Sequence, residues 1–103
     1  MRDQRILEEV KAILAELVKI APGHAVEVRV PPYAAVQCVE GPKHTRGTPP
    51  NVVELSYETL INLLNGKTHW SSGIETGAIH ASGERSDLSS LFEVLAKTIR
   101  ITS

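Results

Sequence analysis

Five residues, Val26-Glu27-Val28-Arg29-Val30, constrain the fold more than any other stretch of this 103-residue chain. Their strict alternation puts three valines on one side of an extended strand and two charges on the other, the pattern of a half-buried antiparallel strand. A sheet built around it has one face for a core and one for water. Pro31-Pro32 interrupts pairing, with Tyr33 at the corner, and Ala34-Ala35-Val36-Gln37-Cys38-Val39-Glu40 resumes it as a second strand with weaker alternation. Asn51-Val52-Val53-Glu54-Leu55 is short and β-branched, a third strand that hands over directly to a helix.

A one-sided sheet needs amphipathic helices, and the sequence supplies them. From Gln4 to Ile20 the residues Ile6, Leu7, Val10, Ile13, Leu14, Leu17 and Val18 recur at three- and four-residue steps. Asp3 can cap this helix, and Ala21-Pro22-Gly23 ends it. Ser56 is an N-cap for a helix from Tyr57 to Leu64, which Asn65-Gly66 stops. Ser71-Ser72 can start a short helix carrying Ile74. Gly77 ends it before Ala78-Ile79-His80-Ala81-Ser82 returns as a fourth strand. Asp87 caps a last helix over 88–97 with Leu88, Leu91, Phe92 and Leu95 on one face. Thr98-Ile99-Arg100-Ile101-Thr102 alternates with β-branched residues and reads either as a fifth, edge strand or as a frayed tail. The expected class is α+β in the broad α/β group, a two-layer sandwich with a mainly antiparallel sheet of four or five strands and helices on one face. All 103 residues fit one domain.

With 42% hydrophobic and 22% charged residues and a formal charge of −1, the chain has the composition of a soluble globular domain. It lacks the basic footprint that nucleic acid or an anionic membrane would require. No apolar run reaches the roughly 20 residues that span a bilayer, so stable membrane insertion is not expected. One cysteine, Cys38, cannot form an internal disulfide, and the N-terminus has no apolar signal segment. A cytoplasmic location follows as the expectation.

Motifs that suggest chemistry fail on spacing. Gly66-Lys67-Thr68 echoes a phosphate-binding loop, but Ile61 stands where that motif requires glycine. His24, His44, His69 and His80 are 20, 25 and 11 residues apart, without the close pairs that fix a metal locally. No metal or cofactor is expected, and no catalytic triad is identifiable. The loop Gly41–Pro50 is the best polar candidate: Lys43, His44, Arg46 and glycine-flanked backbone N–H groups can converge on a carboxylate or phosphate, or Arg46 can pair with Glu40 or Glu54 to hold the fold.

The order helix, two strands, strand, helix, helix, strand, helix resembles the sterol carrier protein type 2 superfamily. The phrases Val28–Pro42 and His44–Glu54 are similar to the small actinobacterial proteins called bacterial sterol carrier orthologues. Leu60, Leu63, Gly66, Lys67, Ile74, Gly77, Ser82-Gly83 and Leu88 match the superfamily's looser signature. The resemblance implies an apolar pocket between sheet and helices that binds lipid, fatty acid or acyl-CoA without catalysis. Candidate lining residues are Leu60, Ile61, Leu64, Ile74, Leu88, Leu91, Phe92 and Leu95, with Trp70 at the rim and His44 and Arg46 as the polar pair. The same aliphatic residues would equally fill a solid core against the valines, with Trp70 as a core anchor. The chain would then be an accessory or interaction domain, because mycothiol-dependent maleylpyruvate isomerase-like enzymes pair a metal-binding helical domain with a sterol-carrier-like one. A homodimer through strand 51–55 or the tail 98–102 belongs to that second reading.

Overall fold

The computed structural model describes residues 3–41 and 51–102, apart from the side chains of 100–102. Helix α1 spans Gln4–Ile20. Asp3 Oδ1 accepts hydrogen bonds from the Arg5 N–H at 2.8 Å and the Ile6 N–H at 3.4 Å, which satisfies donors that have no partner in the first turn. Val10, Ile13, Leu14 and Leu17 form its buried stripe. Strands β1 (Val26–Val30), β2 (Ala34–Cys38) and β3 (Asn51–Leu55) follow in succession, then helices α2 (Tyr57–Leu64) and α3 (Trp70–Thr76), strand β4 (Ile79–Ser82) and helix α4 (Ser89–Thr102).

The sheet runs β2-β1-β3-β4. β1 pairs antiparallel with β2 and parallel with β3, and β3 pairs antiparallel with β4. Two of three pairings are antiparallel, so the fold is α+β with a mixed, mainly antiparallel sheet. In register, Val26 faces Cys38 and Asn51, and Val28 faces Val36 and Val53. Val26, Val28, Val30, Val53 and Cys38 are completely buried, and Leu55 and Ile79 nearly so. They join the α1 stripe, Leu60, Leu64, Leu88, Phe92, Leu95 and Ala96 in one contiguous core. Burial lifts the Cys38 thiol to about 11, so it stays protonated and unreactive at neutral pH. The opposite sheet face carries the polar partners: Glu54 lies across from Arg29 and His80, and Arg29 Nε donates to Glu27 Oε2 at 2.6 Å.

The structure corrects two expectations. Residues 98–102 continue α4 instead of forming a fifth strand. The stripe Phe92, Leu95, Ala96 extends to Ile99, which packs against the core, and this tertiary contact outweighs β-branched propensity. Strand 51–55 is internal, so the sheet edges are β2 and β4.

Three local devices fix the layers. Val39 sits at φ 68°, a left-handed conformation costing a β-branched residue on the order of 1–3 kcal/mol. Its N–H donates to the Ala21 carbonyl at 2.7 Å, and its carbonyl accepts from the Ala25 N–H at 2.9 Å, clamping the end of β2 to the turn after α1. Gly73, the buried residue of α3, lies where a Cβ would collide with the Ile79 side chain, so its missing side chain sets how closely α3 approaches β4. Asn51, only 4% exposed, donates from Nδ2 to the Ala25 carbonyl at 2.8 Å and accepts at Oδ1 from the Arg85 N–H at 2.9 Å. One amide thereby joins the residue before β1, the start of β3 and the β4–α4 connection.

Replacing Asn51 by alanine strands a buried carbonyl and removes the acceptor for the Arg85 N–H. The expected loss is about 1–3 kcal/mol of unfolding free energy at an unchanged urea m-value, measured by chemical denaturation. An unaltered midpoint would show that Asn51 is not the tie described.

Candidate functional site

α2 ends in a glycine-terminated cap. Gly66 has φ 77°, its N–H bonds to the Leu63 carbonyl at 3.3 Å, and the Lys67 N–H bonds to the Asn62 carbonyl at 2.8 Å. This pair of bonds is a Schellman motif. Gly66-Lys67-Thr68 is thus a helix stop that turns the chain toward α3. The turn lets the start of α3 stand away from α4, and a groove of about 460 Å³ opens between them.

Leu63 and Gly66 from α2, Thr68 and His69 from the turn, Trp70 and Ser71 from α3, Asp87 before α4, and Ser89, Phe92, Glu93, Ala96 and Lys97 on α4 line this groove. Trp70 and Phe92 are its aromatic part, with ring centroids 5.5 Å apart and planes tilted by 59°. Phe92 is 4% exposed and belongs to the core, whereas Trp70 is half-buried. Asp87 accepts a 3.0 Å bond at Oδ1 from the Ser89 N–H. Hydrogen bonding from the Ser89 side chain, then from its backbone N–H, holds the Asp87 carboxyl below its ordinary value. A second depression of about 340 Å³ lies at the end of the sheet, with Glu54 and His80 beside the Ser56 and Thr59 hydroxyls.

Of the residues singled out from sequence, Trp70 and Phe92 line the groove. Leu60, Leu64, Leu88 and Leu95 are buried core residues, and Ile61 and Leu91 pack partly buried against that core. Ile74 is 42% exposed on α3. His44 and Arg46 lie outside the described residues. The lining residues that periodicity did not indicate include Leu63, Ser89, Glu93 and Lys97. They occupy the flank of each helix beside the apolar stripe, which a search for buried faces passes over. Their available signal was Trp70, a large ring placed directly after a helix stop.

Among the described residues no three potential ligands cluster around a metal position, and no helix is long and apolar enough to cross a membrane.

The α+β fold, with four helices and a four-stranded mixed sheet, is that of sterol-carrier-type proteins. The crystal structure of sterol carrier protein 2 like 2 from Aedes aegypti is similar to it, with a TM-score of 0.51 over 86% of this chain and 98% of that one, at 13% identity. The family model described as a bacterial SCP ortholog matches residues 2–94, and the chain belongs to this family. No curated protein matches the sequence.

The Asp87 bond makes stability depend on pH in a definite direction. A carboxyl lowered in the folded state contributes fully above its unfolded value, about 4 for an aspartate, and loses that contribution as pH falls through the lowered value. The stability gap between the parent and Asp87→Asn should be constant from roughly pH 5 upward and close in stronger acid. Urea midpoints across this range measure it; a gap that persists unchanged in strong acid would contradict the assignment.

Proposed function

We propose that this sterol-carrier-type domain is a non-catalytic cytoplasmic binder of an apolar or amphiphilic small molecule such as a lipid, fatty acid or acyl-CoA. The groove at the ends of α2 and α3, against α4, is its site. The observation that carries the reading is the roughly 460 Å³ groove with Trp70 and Phe92 in its wall, a volume within the range of small-molecule sites. Each ligand methylene withdrawn from water contributes roughly 0.8 kcal/mol, so six give about 5 kcal/mol before ordering costs. A short stretch of acyl chain is therefore enough to hold a ligand at the rim, and the core need not open. Leu64 is unsuitable as a test position, because at 6% exposure a charge there would unfold the core.

The filled core supports a second reading, an interaction domain without a lipid site. Leu60, Leu88 and Leu95 leave no aliphatic wall free, and Ile74 and Val94 stand 42% and 48% exposed. In that reading the chain pairs with a mycothiol-dependent isomerase-like enzyme or with a second copy through an edge of the sheet at β2 or β4.

Trp70 is the chain's one tryptophan, so its emission reports on the groove alone. Under the carrier reading, titration with palmitate shifts the emission to the blue with saturation, and native mass spectrometry shows a one-to-one adduct that Trp70→Ala weakens about tenfold or more. Unshifted emission and adduct-free spectra at high micromolar ligand would leave the interaction-domain reading in place.

A further inference from the structure

We propose that the groove selects amphiphiles with a cationic alkylammonium head, held by the Trp70 ring together with the Asp87 and Glu93 carboxylates. This rests on the preceding reading that the groove takes an amphiphile. It goes further in naming the head, and among those ligands it favours a lipid with a cationic head over a fatty acid or acyl-CoA.

Three observations converge on it. Tryptophan presents the most favourable aromatic face for a cation, and Trp70 is the half-buried ring of the aromatic pair, backed by the buried Phe92. The carboxylates and ammonium lining the groove are Asp87, Glu93 and Lys97, two negative groups against one positive. Neither Glu93 nor Lys97 has an ion-pair partner among the described residues. The Glu93 carboxylate is therefore uncommitted.

The placement also orders the head and tail. Glu93 directly follows Phe92, whereas Lys97 lies one turn further along α4, roughly 6 Å along the axis. The ammonium takes the Trp70 and Glu93 position, and Leu63 and Ala96 offer apolar surface to the first methylenes. A methylated ammonium suits such a site better than a bare metal cation. It is recognised by an aromatic face without a ligand cage, and the described residues offer no such cage. A carboxylate head would meet one favourable charge, Lys97, and two opposing ones.

The test compares two probes with the same tail, dodecyltrimethylammonium and laurate, each below its micelle concentration in low-salt buffer, read by Trp70 emission and by calorimetry. Dodecyltrimethylammonium should bind at least roughly fivefold more tightly. Glu93→Gln should weaken it by roughly threefold to tenfold and leave laurate unweakened, and Lys97→Met should tighten it. Glu93 and Lys97 are exposed, so both variants should retain the fold. Laurate binding as tightly as the cation, or indifference of the cation to Glu93→Gln, overturns the head-group assignment while leaving the carrier reading intact. Failure of both probes to bind overturns both.

Discussion

Burial of one sheet face is the constraint on which the rest of the molecule depends. Val26, Val28 and Val30 commit one side of β1 to the core, and Glu27 and Arg29 commit the other to water. The neighbouring strands repeat the choice, with Val53 and Leu55 inside and Glu54 outside, Ile79 inside and His80 outside. All four helices must then share a single layer. Their apolar stripes are consumed in covering it, because a sheet of this width offers no second apolar surface. The groove arises where that layer ends, at the turn between α2 and α3, and not within it.

Much of this architecture is readable from residue order. Alternation gives β1, three- and four-residue spacing gives α1, and Asn65-Gly66 gives the end of α2, which the structure realises as a Schellman cap. What sequence did not give has physical causes. Residues 98–102 have strand propensity, but Ile99 continues the stripe of Phe92 and Leu95, and burial decides. Gly73 reads as an unremarkable helix glycine until Ile79 is seen against it. The groove was only partly legible. Periodicity finds the residues that face the core, such as Leu60 and Leu95, whereas the lining at Glu93 and Lys97 depends on how far two helix ends stand apart. That separation is set by the path of the chain through the α2–α3 turn, which no local pattern encodes.

Under the proposed carrier reading, the position of the groove matters for exchange. A ligand enclosed between sheet and helices leaves only when packed layers separate, at the expense of contacts spread across the core. At the margin of the helical layer, release disturbs Trp70 and a few polar side chains and leaves Leu60, Leu88 and Leu95 in place. Such a site favours rapid loading and unloading over retention.

Asn51 has a consequence for how the sequence can vary. Its amide fixes where β3 begins by bonding both the residue before β1 and the connection after β4. The pairing of Val26 with Asn51 is thereby anchored at the first residue of the returning strand. Strand register does not have to be measured out by the length of the segment 42–50. The sheet takes its alignment from one side-chain amide and not from the number of residues that precede it.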